Sequence, residues 1–160
     1  TGLQTVERSD TISLAALTEE VFCDLDPVAE KHQVRLIQTD GDCTVTGSYI
    51  LLYRAVYNLV ENAIKYNRPS GSVTVSIHSA ESAVLEVTDT GIGISPENQE
   101  KIFDPFYRVD KSRSRAMGGA GLGLALVSEI ARQHNGQVKV TQSSEKGSTI
   151  ALILPESTDY

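Results

Sequence analysis

The stretch GGAGLGLALVSEI, residues 118–130, sets four glycines against the start of an apolar stripe at helical spacing. A helix interior tolerates glycine poorly, by roughly 1 kcal/mol against alanine, so glycines at this end need a reason. A helix N-terminus carries backbone N–H groups without intrahelical partners and a partial positive charge, and together these attract anions. Glycines there let phosphate oxygens reach those groups with no Cβ in the way. The segment is not G-x-G-x-x-G and no GK[ST] follows, so neither the Rossmann fingerprint nor the P-loop fits. It reads as a different phosphate cradle, with a plain flexible linker as the alternative.

The 160 residues, 40% of them hydrophobic, suffice for one domain with a real core. There is no run of about 18 or more apolar residues that could span a membrane. The opening TGLQTVERSD has neither the basic start nor the apolar stretch of a signal peptide, and it reads as a cut inside a longer protein. Cys23 and Cys43 are isolated, without metal-like spacing, which suits a reduced, cytoplasmic chain. A formal charge of −7 argues against nucleic acid as the main partner. Between residues 101 and 115, however, Lys101, Arg108, Lys111, Arg113 and Arg115 face only Asp104 and Asp110. A cationic loop on an acidic protein suits a small anionic ligand, or is simply a solvated charged loop.

Along the chain, Thr11–Ser13 reads as a short strand, with Ser13 capping a helix over about 14–32 that Pro27 should kink. Val34–Gln38 and Thr44–Thr46 flank the turn DGD, and a second long helix runs from about Ser48 to Tyr66 before the breaker NRPSG. Alternation at Val73, Val75, Ile77 and at Ala83, Leu85, Val87 gives two strands. A short helix is expected near 96–102. The helix after GGAGLG uses Leu122, Leu126, Val127 and Ile130 as its face, and strands over 136–142 and 148–154 close the chain. This order predicts an α/β (α+β) two-layer sandwich, a mixed sheet with three main helices on one face.

Three further constellations carry chemistry. In NLVENAIKYN a polar stripe holds Arg54, Asn58, Glu61, Asn62 and Lys65, and asparagine is a poor helix former. Two carboxamides one turn apart, with a lysine beyond, suit Mg²⁺ and phosphate, or form an ordinary polar face. In VTDTGIGI, Asp89 continues the apolar side of its strand. A buried carboxylate needs a donor, and a purine exocyclic amine would serve, with Gly91 and Gly93 leaving room for a flat ligand. Read alone, it is also an acid-rich turn. In FDPFYRVDKSRSRAMGG, Phe103, Phe106 and Tyr107 could anchor a long loop whose basic residues lean over a ligand.

In this order and spacing the four stretches resemble the N, G1, F and G2 boxes of bacterial sensor histidine kinases, over about residues 9–155. The family shares its Bergerat ATP-binding fold with gyrase B, Hsp90 and MutL. The resemblance implies that Asn62 binds Mg²⁺, that Asn58 supports it, that Lys65 contacts phosphate and that Tyr66 lies near the adenine. Asp89 would take the adenine amino group in a pocket formed with Gly91, Gly93 and Ile94. Phe106, Tyr107 and Arg108 would belong to an ATP lid, and Gly119, Gly121, Leu122, Gly123 and Leu124 would hold phosphates. Thr149 sits where the family often has a hydroxyl near the adenine. Asn58, Asn62, Lys65 and Arg108 would be the residues of catalysis.

The resemblance further implies a linker remnant over 1–8, the catalytic ATP-binding domain over 9–155 and a tail over 156–160. The cofactors would be ATP and Mg²⁺. The partners would be an upstream helical dimerisation and phosphoacceptor domain and a cognate response regulator, in a homodimeric, membrane-anchored sensor whose isolated domain is a monomer in the cytoplasm. The hydrolysing members of the larger fold carry glutamate where this chain has Asn58, and an amide is no base at neutral pH, so ATP hydrolysis should be slow. His32, His78 and His134 lie outside any phosphoacceptor motif and read as surface or packing residues. Two rivals stand: a protein-serine kinase of the same fold, such as an anti-sigma factor, and a nucleotide-sensing module without catalysis.

Overall fold

Two serines set where the long helices begin. In the computed structural model, which describes residues 10–105 and 121–157, α1 spans Leu14–His32, and the Ser13 hydroxyl accepts the Ala16 N–H at 3.1 Å. Helix α2 spans Tyr49–Lys65, and Ser48 accepts the Leu51 N–H at 3.3 Å. Each cap satisfies an otherwise unpaired donor, worth about 1 kcal/mol. Both starts also receive a carboxylate: Asp42 accepts the Ala15 N–H at 2.9 Å, and Asp10 accepts the Tyr49 N–H at 3.0 Å. Negative charge is favourable at that end of a helix.

Those acids are held by a small ribbon in which β1 (Asp10–Ser13) pairs antiparallel with β3 (Thr44–Gly47). The ribbon is separate from the main sheet, so the two strands flanking the DGD turn do not pair with each other. The earlier of them, β2 (Arg35–Gln38), lies at one edge of the five-stranded sheet. The rest of that sheet is β4 (Ser72–Ala80), β5 (Ser82–Asp89), β6 (Gln137–Ser144) and β7 (Gly147–Leu154). Its order is β2-β4-β5-β7-β6, with β2 parallel to β4 and the other pairs antiparallel. The expected mixed sheet with its helices is what the chain forms.

Alternation decides which face is covered. Val73, Val75 and Ile77 of β4 and Ala83, Leu85 and Val87 of β5 are buried, in one core with Leu17, Val21 and Leu25 of α1 and Leu52, Val56 and Leu59 of α2. The third helix, α3 (Gly121–Gln133), adds Leu124, Val127, Ile130 and Ala131. This corrects the expected face: Leu126 is 38% exposed, because it lies about 100° around the helix from Val127. Pro27 is exposed within an unbroken α1. The bond it removes is to the carbonyl of Cys23, on the solvent face, where water can replace it. The short helix expected near 96–102 is two 3₁₀ turns, Pro96–Asn98 and Lys101–Phe103, the second anchored by buried Ile102.

His134 is a packing residue, as expected. It is buried at the end of α3; its Nε2 accepts the Ser48 N–H at 3.1 Å, so Nδ1 is the donor to the Ile130 carbonyl at 2.8 Å. This ties the end of α3 to the start of α2, and the two helices run antiparallel. His78 is at the surface beside Glu86, and His32 is in the last turn of α1. Cys23 is exposed and Cys43 buried, both as free thiols. No described helix is long and apolar enough to cross a membrane.

Candidate functional site

Asp89 ends β5 on the side of Ala83, Leu85 and Val87, directly opposite Ser148 of β7. Its Oδ1 accepts the Gly91 N–H at 2.8 Å and the Ser148 N–H at 3.3 Å, while Oδ2 accepts the Ser148 hydroxyl at 3.0 Å. Burial pushes this carboxyl above its ordinary range, and the three hydrogen bonds pull part of the way back. The group is therefore oriented and still has acceptor capacity for an external N–H donor.

The sequence reading singles out Thr149 and not Ser148. The structure turns Thr149 the other way: it stands opposite Thr88, and the two hydroxyls pair at 2.9 Å on the face away from Asp89. Side chains alternate along a strand, so a slip of one residue exchanges faces. The hydroxyl that reaches Asp89 is that of Ser148.

The glycines near Asp89 permit close backbone packing. A Cβ on Gly91 would lie 2.4 Å from the Tyr66 carbonyl oxygen, and one on Gly93, at φ 78°, would lie 2.0 Å from that of Ser144. The room they leave is filled by protein, drawing the loop against the end of α2 and the β6–β7 hairpin. Ile94 continues this docking: its N–H donates to the Ser143 hydroxyl at 2.6 Å, and its side chain packs on the core.

Helix α2 leads from this corner to the start of α3. Tyr66 caps its C-terminus, its N–H donating to the Asn62 carbonyl at 3.1 Å. Lys65 faces Glu61 one turn back, at 3.6 Å. The Asn62 side chain makes no hydrogen bond among the described residues. Asn58, one turn earlier, donates through Nδ2 to the Gly123 carbonyl at 3.3 Å. Eight residue steps along α2 lead from Asn58 to its cap Tyr66, about 12 Å at the usual rise. At the far end, Gly121 opens α3, and the Leu124 side chain is buried, so a ligand there meets only backbone at 124. Phe106, Tyr107, Arg108 and Gly119 lie outside the described residues, as does the side chain of Leu122.

The donor set bears on a metal. Among the described residues no three acidic, histidine or cysteine side chains gather to hold one. A carboxamide oxygen at Asn62 suits a hard cation that completes its shell with phosphate oxygens and water, the habit of Mg²⁺.

Residues 47–158 match the family model described as histidine kinase-, DNA gyrase B-, and HSP90-like ATPase. The sensor-like histidine kinase SenX3 of Mycolicibacterium smegmatis is 37% identical over 161 residues, covering 99% of this chain and 42% of that protein. The sensor histidine kinase RppB of Synechocystis sp. is 44% identical over 140 residues, covering 87% and 30%. The chain thus spans less than half the length of these relatives. Among solved structures, the mycobacterial sensor histidine kinase MprB superposes with a TM-score of 0.77 at 28% identity, covering 92% of this chain and 97% of that one.

Proposed function

Because the chain belongs to the histidine kinase-, DNA gyrase B- and HSP90-like ATPase family, we propose that it is the catalytic, ATP-binding domain of a sensor histidine kinase. The adenine lies at Asp89, whose carboxylate accepts the exocyclic amine, with Tyr66 and the Gly91–Ile94 loop beside it. The triphosphate runs along α2 toward Gly121 and Gly123, where the first N–H groups of α3 face it. Asn62 would hold Mg²⁺, which would supply positive charge for the phosphates, and Lys65, which faces Glu61 at 3.6 Å, would meet phosphate charge.

One observation supports this reading above the rest. The oriented acceptor at Asp89 and the glycine-led start of α3 at Asn58 lie at two ends of one polar stripe on α2. ATP supplies the transferable γ-phosphoryl group, and the chain's own residues orient it and balance its charge, which is most of what phosphoryl transfer needs. The acceptor is a histidine on an upstream helical dimerisation domain, and an aspartate of a response regulator receives the group next. A homodimeric, membrane-anchored sensor with this domain in the cytoplasm fits that chain of events.

The relatives' names favour this over a serine kinase or a purely nucleotide-sensing module. The decisive experiment mixes the domain with a histidine-bearing dimerisation domain and γ-labelled ATP. Acid-labile label on that histidine is expected. Label on serine, or none on any tested acceptor despite nucleotide binding, would move the assignment to one of the rivals.

A further inference from the structure

Asn58 differs from Asn62, the other carboxamide of the α2 stripe, in that among the described residues it already has a hydrogen-bond partner. Its Nδ2 donates to the Gly123 carbonyl at 3.3 Å, and a Cβ on Gly123 would come within 3.5 Å of the same nitrogen. That carbonyl sits in the first turn of α3, where the helix ladder uses one lone pair and leaves the second free. The other end of α3 is pinned to α2 through His134 and Ser48. Asn58 is the matching contact at the end where the orientation of backbone N–H groups matters.

We propose that Asn58 is a positioning residue whose amide donor, rather than its oxygen, fixes the first turn of α3 against α2 and so aims the phosphate-facing N–H groups. The proposal rests on the nucleotide-site reading above. It requires a neutral donor at this position. A carboxylate of the same shape would set oxygen against the Gly123 oxygen, leaving one acceptor unpaired and adding repulsion.

The test compares wild type with Asn58→Asp, Asn58→Ala and Asn58→His, the last keeping an N–H near the same place. Two readouts are taken: ATP affinity by calorimetry, with Mg²⁺ and with EDTA, and amide hydrogen exchange of residues 123–127 in the ligand-free protein. Circular dichroism checks the fold. Loss of one hydrogen bond is expected to speed exchange in the first turn and weaken ATP about five- to tenfold in Asn58→Ala. Asn58→Asp should lose more than Asn58→Ala on both readouts, with or without metal, and Asn58→His should recover part. If Asn58 instead serves the metal through its oxygen, Asn58→Asp binds ATP–Mg²⁺ at least as well as wild type. If it only fills space, Asn58→Asp matches wild type and only Asn58→Ala suffers. Either result overturns the proposal. Wild type failing to bind ATP would remove the nucleotide reading, while the exchange data would still decide whether Asn58 holds α3.

Discussion

The Ser148 hydroxyl donates to Asp89 Oδ2 at 3.0 Å, and the next residue, Thr149, is turned to the opposite face of the sheet and pairs with Thr88. Of two adjacent hydroxyls, one therefore orients the candidate adenine acceptor and the other does not. Ser148→Ala should weaken adenine nucleotide binding about fivefold, the scale of one ordinary hydrogen bond that orients the acceptor without touching the ligand. Thr149→Val should leave affinity within about twofold and change stability by no more than about 1 kcal/mol. Calorimetry with ATP on both variants separates the two residues.

Asp89 gives a pH dependence with a definite sign. Burial raises its folded-state pKa above the ordinary 3.8. The folded protein therefore holds this proton more tightly than the unfolded chain, so Asp89's contribution to stability is largest below the unfolded value and is lost as pH rises through the folded one. Binding runs the other way, because accepting an amine needs the carboxylate. ATP affinity should fall on acidification at a pH above that of an ordinary aspartate. Asp89→Asn can keep the Gly91 and Ser148 hydrogen bonds through its oxygen and amide, so its fold at neutral pH should be at least as stable. Its amide presents a donor to the adenine amine, and ATP affinity should drop by about tenfold or more. A 6-oxo purine nucleotide should lose less.

Glycines separate by what a methyl group would strike. On Gly91 it would meet the Tyr66 carbonyl at 2.4 Å, so Gly91→Ala should lower stability by about 1–3 kcal/mol, read as a reduced Tm. On Gly123 it would meet Asn58 at 3.5 Å, an ordinary contact, and alanine is the better helix former. Gly123→Ala should keep or raise Tm while weakening nucleotide binding, because the methyl narrows the gap between α2 and α3.

Position 58 also gives an expectation about hydrolysis. Its side chain is an amide engaged with Gly123, and it cannot prepare water for attack. Steady-state ATP turnover by the isolated domain should lie well below the roughly 1–10³ s⁻¹ of ordinary enzymes. A coupled phosphate-release assay reads it, and turnover in that range would require a base elsewhere.

What the sequence made legible follows from how local each signal is. Helix α1 begins where Ser13 caps it and holds Leu17, Val21 and Leu25 in the core, a pattern readable from spacing alone. The polar stripe on α2 was equally plain. Pairings between distant segments were not: nothing local tells that β2 joins β4 while β3 joins β1. That Ser148, and not Thr149, faces Asp89 was hidden for a related reason. In β7 every residue from Ser148 to Leu152 is buried, because the strand lies between β5 and β6, so no alternation marks which hydroxyl faces Asp89. Leu126 misled because the stripe on α3 is apolar well beyond the face that packs. At Gly91 and Gly93 the backbone contacts with Tyr66 and Ser144 are seen only in the fold, because they join segments distant in sequence.

The most direct test is calorimetric titration of ATP into wild type and Asn62→Ala, each with and without Mg²⁺. Wild type should bind ATP more tightly with Mg²⁺ than without. Asn62→Ala, with its fold intact by circular dichroism, should lose that metal-dependent gain. No ATP binding by folded wild type under either condition, or an Asn62→Ala titration indistinguishable from wild type in Mg²⁺, would contradict a nucleotide held along α2 through a metal at Asn62.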